Sequence, residues 1–236
     1  MPKKYTIEFI PAKQPIRELI TKFGGQPNWI SEPEWPLSKS TGKPMQFIGQ
    51  FTLDPELFGG APDRMAYLFM TNEEDAPTES TWEPNGGENA VIIQPGGNSM
   101  PTISSPNGPA LQSWVETSRS VVGKLMGKPS KRVLEDCEFG VKLVSADDPE
   151  FLQEREFSKL SKEECEEYLL SLRGNKLGGT PEFIQGPEFP FPDSRKLLLQ
   201  LDSGSVPFEI NFGDAGVGYV FLSADGSQAK FLWQCG

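Results

Sequence analysis

The stretch KLGGTPEFIQGPEFP at residues 176–190 repeats an earlier stretch of the same chain, KFGGQPNWISEPEWP at residues 22–36. The two align without gaps at an offset of 154, and 8 of the 15 positions are identical. Three further positions exchange large apolar residues: Phe23 for Leu177, Trp29 for Phe183 and Trp35 for Phe189. Chance does not produce such a likeness, so the sequence predicts an internal duplication.

The likeness continues beyond this stretch with small gaps. Gln50 precedes Phe51 as Gln200 precedes Leu201, and YLFM at 67–70 answers YVFL at 219–222. Near residues 145–149, acids and a proline interrupt the strand pattern. We therefore expect a first half over residues 1–147, which contains extra strands, and a second half over residues 148–236.

The fold class follows from the positions of the prolines and glycines along the chain. Its 22 prolines and 24 glycines separate short apolar runs, which predicts an α+β, β-rich fold of short antiparallel strands. In each half, a short helix should lead through the GG-x-P turn into these strands. Apolar spacing from Pro15 to Phe23 predicts the first helix, and a capping box at Ser161 and Glu164 predicts the second, ending at Arg173.

Alternating or continuous apolar runs predict the strands. An opening strand is expected from Tyr5 to Phe9, and a polar surface loop from Pro95 to Pro109. Two longer strands, at 111–122 and 133–144, have no counterpart in the second half. The other expected strands lie at 45–51, 65–70, 89–94, 196–201, 208–212, 217–223 and 230–234, with a hairpin turn at Asp225-Gly226.

These motifs resemble the YwqG-like family of bacterial proteins, also called domain of unknown function 1963. The resemblance rests on GGQPNWISEPEWP, NAVIIQPGG, LGGTPEFIQG, FGDAGVGYVFLSADG and FLWQC, and it spans nearly the whole chain. It implies a mixed, β-rich fold of two related halves. It implies no established reaction, substrate or catalytic residue.

Charge and cysteine usage narrow the partners. The net charge of −11 disfavours nucleic acid and anionic membranes but leaves a basic protein open. Three widely spaced cysteines suggest neither disulfides nor a zinc site, so we expect no metal and no cofactor. No apolar run has the length of a membrane span, and the amino terminus lacks a signal-peptide core. A cytoplasmic monomer is expected.

The composition also limits the chemistry. Because the chain has no histidine, Ser-His-Asp and Cys-His nucleophiles are excluded. The repeat instead supplies a matched pair of carboxylates, Glu34 and Glu188, each set between a proline and an aromatic residue. If the halves face each other, the pair could act as acid and base or hold a cation; otherwise each is solvated beside its turn, the interpretation we favour.

Other repeated residues are also binding candidates with structural alternatives. Trp29, Trp35 and Phe189 could wall an aromatic groove or, as Phe183 and Phe189 more readily do, seal the core. The amides of Gln50 and Gln200 lie in apolar strands, where internal hydrogen bonds are favoured over ligand contacts. Asp214 is expected to brace its own turn, with a ligand role as the minor alternative.

Two functions remain open. The first is a non-catalytic interaction protein, in its concrete form an acidic, immunity-type inhibitor of a basic toxin. The second is an enzyme or small-ligand binder that uses the paired carboxylates in a cleft between the halves. Catalysis is the less favoured, and a pocket with converging acids would distinguish it.

Overall fold

A computed structural model describes residues 1–72, 80–96, 100–116 and 132–236. These ranges contain three helices: α1 (Pro55–Phe58), α2 (Glu154–Phe157) and α3 (Lys162–Leu172). The strands in the described ranges are β1 (Lys3–Pro11), β2 (Lys22–Gly24), β3 (Trp35–Pro36), β4 (Gln46–Thr52), β5 (Met65–Met70), β6 (Asn89–Gln94), β7 (Thr102–Ile103), β8 (Gln112–Glu116), β9 (Arg132–Asp136), β10 (Glu138–Asp147), β11 (Lys176–Gly178), β12 (Lys196–Asp202), β13 (Val217–Leu222) and β14 (Ala229–Gln234). The predicted β-rich, antiparallel character is confirmed. No described helix is both long and apolar enough to cross a membrane.

Ten of these strands form one antiparallel sheet in the order β14-β13-β12-β11-β1-β10-β2-β4-β5-β6. The order places β1 and β10 at the centre. On one side lie β2, β4, β5 and β6, which we call the first arm; on the other lie β11, β12, β13 and β14, the second arm. Strands from both predicted halves therefore share this sheet, whereas β8 pairs with β9 in a separate two-stranded sheet. The division at residues 147 and 148, directly after β10, stays a prediction.

The two arms have the same strand register. Lys22 pairs with Gln50 in the first arm, and Lys176 pairs with Gln200 in the second. The next strand pair in each arm contains an irregularity at the same place, between Phe47 and Gly49 and between Leu197 and Leu199. Such bulges bend a strand and increase its local twist. Both arms therefore bend where β4 and β12 begin.

Side chains alternate between the two faces of the sheet, as the period of a strand requires. In β5, Ala66 and Leu68 join a central core that both arms share, whereas Tyr67 and Phe69 point into an outer core of the first arm. In β13, Val220 joins the central core, and the neighbouring Tyr219 and Phe221 join a separate outer core of the second arm. The sheet thus wraps around one core and carries a smaller core outside each arm.

The sheet curls until its two edges face each other. Cα atoms of β6 and β14 lie within 8 Å, yet the two strands are not paired in the ladder. A cavity of about 580 Å³ lies between them, lined in part by Val91 and Ala229. Beside it the indole Nε1 of Trp233 donates to Thr81 Oγ1 at 3.1 Å. The edges are close without completing a barrel.

Most predicted elements are confirmed, and two agree in their bounds with β5 and β6. The predicted helix over 15–23 is wrong: the segment is irregular until β2 begins. Its carbonyls have other partners, since Ile16 O accepts from Lys22 Nζ and Ile20 O from Gln50 Nε2. The apolar spacing does not mark a buried helix face, because Leu19 and Ile20 are about half exposed.

Two further expectations need correction. Residues 208–212 form no strand; the N–H of Glu209 donates to Gln112 O at 2.7 Å, and Phe208 and Phe212 fill the central core from an irregular segment. The predicted strand over 133–144 is divided between β9 and β10 at Cys137, whose N–H and thiol both donate to Leu111 O. The predicted strand end and turn over 117–131 lie outside the described residues.

Candidate functional site

Each arm turns at its glycine pair. Gly24 and Gly25 have φ values of 68° and 63°, and Gly178 and Gly179 have φ values of 71° and 79°. Residues with a side chain rarely adopt this left-handed backbone conformation, which glycine reaches without strain. The turn takes the chain off the end of β2 or β11 and over the outer face of its arm. Trp29 and Trp35 are delivered there in the first arm, and Phe183 and Phe189 in the second.

A buried lysine fixes the turn of the first arm. The ammonium of Lys22 donates to Glu138 Oε1 at 2.6 Å, Gln26 O at 2.7 Å and Ile16 O at 3.2 Å. An ammonium has three N–H donors, so all are used. Burial lowers the pKa of Lys22, and the bond to Glu138 opposes that shift. The lysine is a brace between the turn and β10, with no donor left for a ligand.

Lys176 performs the same task in the second arm. Its ammonium donates to Asp148 Oδ2 at 2.7 Å, Leu172 O at 2.7 Å and Thr180 O at 2.6 Å. Burial lowers the pKa of Lys176 to about 8, against the opposing effect of Asp148. Asp148 is also paired with Lys4. The sequence showed that Lys22 and Lys176 are identical positions, but lysine is so often exposed that this role was missed.

The amides of Gln50 and Gln200 hold the segments that follow the turns. Gln50 Oε1 accepts from Asn28 N at 2.8 Å, and Gln200 Oε1 accepts from Glu182 N at 2.8 Å. Their Nε2 groups donate to backbone carbonyls, those of Leu172 and Gly174 in the case of Gln200. Both side chains are fully buried. Internal pairing, the favoured prediction for these two candidates, is confirmed.

Two tyrosines hold the same segments from the outer cores. Tyr67 Oη donates to Asn28 O at 2.9 Å and accepts from Ile30 N at 3.1 Å, and burial raises the pKa of Tyr67 to about 12. In the second arm Tyr219 Oη donates to Glu182 O, and burial raises its pKa further. The sequence signal was the repeated Tyr-x-Phe. Hydrogen bonding to a loop was not visible in it.

The aromatic candidates pack as structural elements. Trp35 is fully buried, and its Nε1 donates to Met45 O at 2.8 Å. Trp29 is half-buried and stacks on Phe69 with ring centroids 6.0 Å apart. In the second arm Phe189 meets Phe221 edge to face at 5.5 Å. The rings seal the outer cores, and Trp29 and Phe189 keep a partly exposed face.

The carboxylate candidates lie beside different outer cores. Glu34 precedes the buried Trp35 of the first arm, and its Oε2 is buried without a hydrogen-bond partner among the described residues. Glu188 precedes Phe189 in the second arm, and its Oε2 accepts from Gln234 Nε2 at 3.5 Å. Asp214 occupies an exposed turn, where its backbone carbonyl accepts from Gly236 N.

Phe189 also borders a cavity of about 520 Å³ that opens beside the turn of the second arm. Its walls include Thr180, Phe151 and Leu197, and the guanidinium of Arg195 lies over the rings of both Phe151 and Phe189. Within the described ranges, no three Cys, Asp or Glu side chains are grouped as a metal site would require. Burial raises the pKa of the Cys137 thiol to about 11, which makes it a poor nucleophile.

Comparison with protein families shows which family the chain belongs to. The model of the family described as "Domain of unknown function (DUF1963)" matches residues 21–235. The chain belongs to the DUF1963 family. The match begins one residue before β2 and leaves the central strand β1 of this DUF1963 protein outside it. A search of curated proteins finds no match.

Proposed function

We propose that this DUF1963 protein acts by binding another protein and catalyses no reaction. The observation that carries the proposal is the use of its buried polar groups. Lys22 and Lys176, the groups best suited to covalent or acid-base chemistry when buried, have all three donors engaged with the protein itself. Gln50, Gln200 and Tyr67 are likewise engaged with the backbone. These groups serve stability, which leaves the surface for function.

We further propose that the partner is basic, and an immunity-type inhibitor of a basic toxin is the concrete form. The net charge of −11 supports this, because complementary charge speeds the encounter of two proteins. The acidic surface includes three exposed residues of α3: Glu163, Glu166 and Glu167. Of these, Glu166 forms an ion pair with Lys162. A monomer in a reducing cytoplasm, with its three cysteines as thiols, fits this function.

The two arms are best explained by internal duplication, which we infer from several agreements. The repeated stretches share their glycine conformation, their buried lysine and the register to a buried glutamine. The bulge recurs at Phe47 and at Leu197. Each arm is thus a unit in which a GG-x-P turn leads over its antiparallel strands.

The binding proposal is tested by association kinetics with a captured partner. Raising salt from about 0.05 to 0.5 M shortens the Debye length from roughly 14 to 4 Å, so association should slow by at least about tenfold while dissociation changes little. The double variant Glu163→Lys and Glu167→Lys should reproduce the high-salt rate if α3 lies at the contact, whereas Glu8→Lys on the central strand is the matched control. An association rate that ignores ionic strength would contradict a charge-steered partner.

One observation favours the alternative of a small-ligand binder or enzyme. Glu34 Oε2 is a buried carboxylate oxygen that no described residue hydrogen-bonds, and such a group is costly and is expected to have a reason. If that reason is a bound ligand, Glu34→Gln should abolish thermal stabilisation by the ligand while Glu188→Gln in the other arm does not. The pairing of Glu34 with Glu188 across a cleft is the less favoured form, since each acid adjoins its own outer core.

A further inference from the structure

The first arm contains a groove that the chain fills with its own residues. The groove runs from the Gly24-Gly25 turn to the start of β4, and residues 106–110 lie in it. Gln26 forms two bonds with Gly108, donating to its carbonyl at 3.0 Å and accepting from its N–H at 2.9 Å. The N–H of Phe47 donates to Pro109 O at 2.9 Å. The segment thus binds as an extended chain through its backbone.

Close packing accompanies these bonds. A Cβ atom added to Gly108 would lie 2.6 Å from the Trp35 ring, so the segment rests directly on the indole. Gln46 Nε2 donates to Ala110 O at 2.8 Å, and Trp29 Nε1 donates to Pro106 O at 3.3 Å. The groove of the first arm therefore recognises an extended stretch with a small residue over its central ring.

The second arm has the corresponding groove, defined by the equivalent positions Thr180, Phe189 and Leu197. Phe151 covers one side of it, with its ring centroid 5.3 Å from that of Phe189. No described segment follows the start of β12 as residues 106–110 follow β4, and no loop carbonyl in the described ranges accepts from Leu197 N–H. The space is instead the cavity of about 520 Å³. No described residue fills this space, and we call it the open groove.

A cation stands at the wall of the open groove. The guanidinium carbon of Arg195 lies 5.0 Å from the centroid of Phe189 and 5.5 Å from that of Phe151, so both rings hold it in place. No carboxylate among the described residues pairs with it. A guanidinium stacked on aromatic rings keeps its edge N–H groups for bidentate binding of a carboxylate.

The other charged groups lining the groove leave Arg195 this role. Lys196 Nζ donates to Phe58 O at 2.9 Å, and Glu150 Oε1 pairs with the amino terminus at 3.5 Å. Lys3 and Glu56 are exposed at the rim and have opposite charges. The lining therefore has three cationic side chains and two anionic ones, in a protein whose net charge is −11.

We propose that the open groove of the second arm binds an extended segment of a partner protein. The segment lies along the start of β12 as residues 106–110 lie along β4, gives a backbone carbonyl to Leu197 N–H, and sets a carboxylate on Arg195. A strand edge supplies backbone bonds and the flanking pockets supply selectivity, as in other cases of strand addition. This surface is distinct from the acidic one and does not depend on the partner being basic.

The test uses the full-length protein and a peptide with the sequence of residues 105–111, SPNGPAL, acetylated at its amino end. Both forms end in an amide; the carboxylate form has aspartate in place of Asn107, beside the glycine that rests on the aromatic ring, and the amide form keeps Asn107. Binding is followed by amide chemical shifts of the ¹⁵N-labelled protein. The shifts should concentrate at Thr180, Phe189 and residues 195–197. The carboxylate form should bind roughly tenfold more tightly than the amide, since hydrogen bonds to a charged group are worth that factor or more.

Arg195→Gln should remove this difference between the two peptides, and Arg17→Gln, on the opposite arm, should preserve it. Unchanged melting temperatures show that both variants are folded. Succinate tests whether any small anion binds in the same way, and sedimentation of the protein alone tests whether a second copy fills the groove. The proposal is overturned if neither peptide shifts these residues, if Arg195→Gln leaves the preference intact, if succinate binds as tightly as the peptide, or if the groove is occupied in a dimer.

Discussion

The two arms hold their turns with the same lysine but with acids from different places. In the first arm Glu138 stands directly opposite Gly24 in the ladder and reaches Lys22 from there. In the second arm the position opposite Gly178 is Lys4, a cation, and the acid is Asp148, just beyond the end of β10. A buried ammonium thus requires a carboxylate nearby but does not dictate which position of the backbone supplies it.

The acids differ in burial, and this sets the largest expected effect. The Asp148 side chain is inaccessible to solvent and serves both Lys4 and Lys176, whereas Glu138 is about one-eighth exposed. Asp148→Ala should lower the free energy of unfolding by about 3 to 5 kcal/mol, because it leaves a buried charge unpaired. Glu138→Ala should cost less, since water can replace the carboxylate. Urea denaturation at pH 7 measures both, and an equal or larger loss for Glu138→Ala would break the comparison.

The filled and open grooves give the second prediction. Gly108→Ala should destabilise the protein by about 1 to 3 kcal/mol, because the added methyl group meets the Trp35 ring in a packed outer core. Indole fluorescence should change with it. Gly204→Ala in the second arm is the control, since its nearest neighbour is an Asp202 side-chain oxygen at 3.3 Å. Equal melting temperatures for the two variants would mean that residues 106–110 are only loosely held.

A smaller effect concerns pH. Because the folded pKa of Lys176 is about 8 and that of an unfolded lysine is 10.5, the unfolded chain binds the extra proton between these values. Stability from this group therefore rises with pH in that window. From pH 7.5 to 9.5 the wild type should gain about 2 kcal/mol relative to Lys176→Met. Cys137, whose raised pKa acts with the opposite sign, cancels in the difference.

Lys22 provides the comparison for this pH effect. Its pKa is also lowered by burial, but less strongly, so the same experiment with Lys22→Met should give a shallower slope. Denaturation curves at the two pH values for all three proteins are sufficient. A steeper slope for the Lys22→Met comparison would contradict the larger pKa shift of Lys176.

The smallest expected effect is none. The protein should melt at the same temperature in chelator and in reductant, because its cysteines are free and lack the spacing of metal ligands. Differential scanning calorimetry with EDTA and with dithiothreitol measures this. A marked fall in melting temperature with either reagent would contradict this prediction, because it would show that the fold depends on a bound metal ion or on a disulfide.

The sequence predicted those features that depend on local pattern. The strands over 65–70 and 89–94 follow from continuous apolar runs between turn residues, and the helix after Ser161 follows from its capping box. The segment at 15–23 could not be predicted, since its carbonyls bond to side chains that lie far along the chain. The same holds for residues 208–212, which fill the central core without entering the sheet.

The candidate residues divide in the same way. Gln50 and Gln200 were recognised as amides that need internal partners, because an unpaired amide in an apolar strand is costly. Lys22, Lys176 and Arg195 were not recognised as structural or binding groups. Their roles depend on Asp148, Glu138 and Phe151, and no spacing in the sequence indicates that these residues meet them.

The place of β1 in the sheet bears on the order of folding. β1 lies between β10 and β11, and its paired residues in these strands lie at least 128 residues further along the chain, from Pro11 with Phe139 upward. Each arm, by contrast, pairs strands that follow one another closely. Short loops close at lower entropic cost than long ones, so the arms are favoured to collapse first and the centre to join them last. β1 is thus the strand that joins the two arms, and they become one continuous sheet only when it has paired with both β10 and β11.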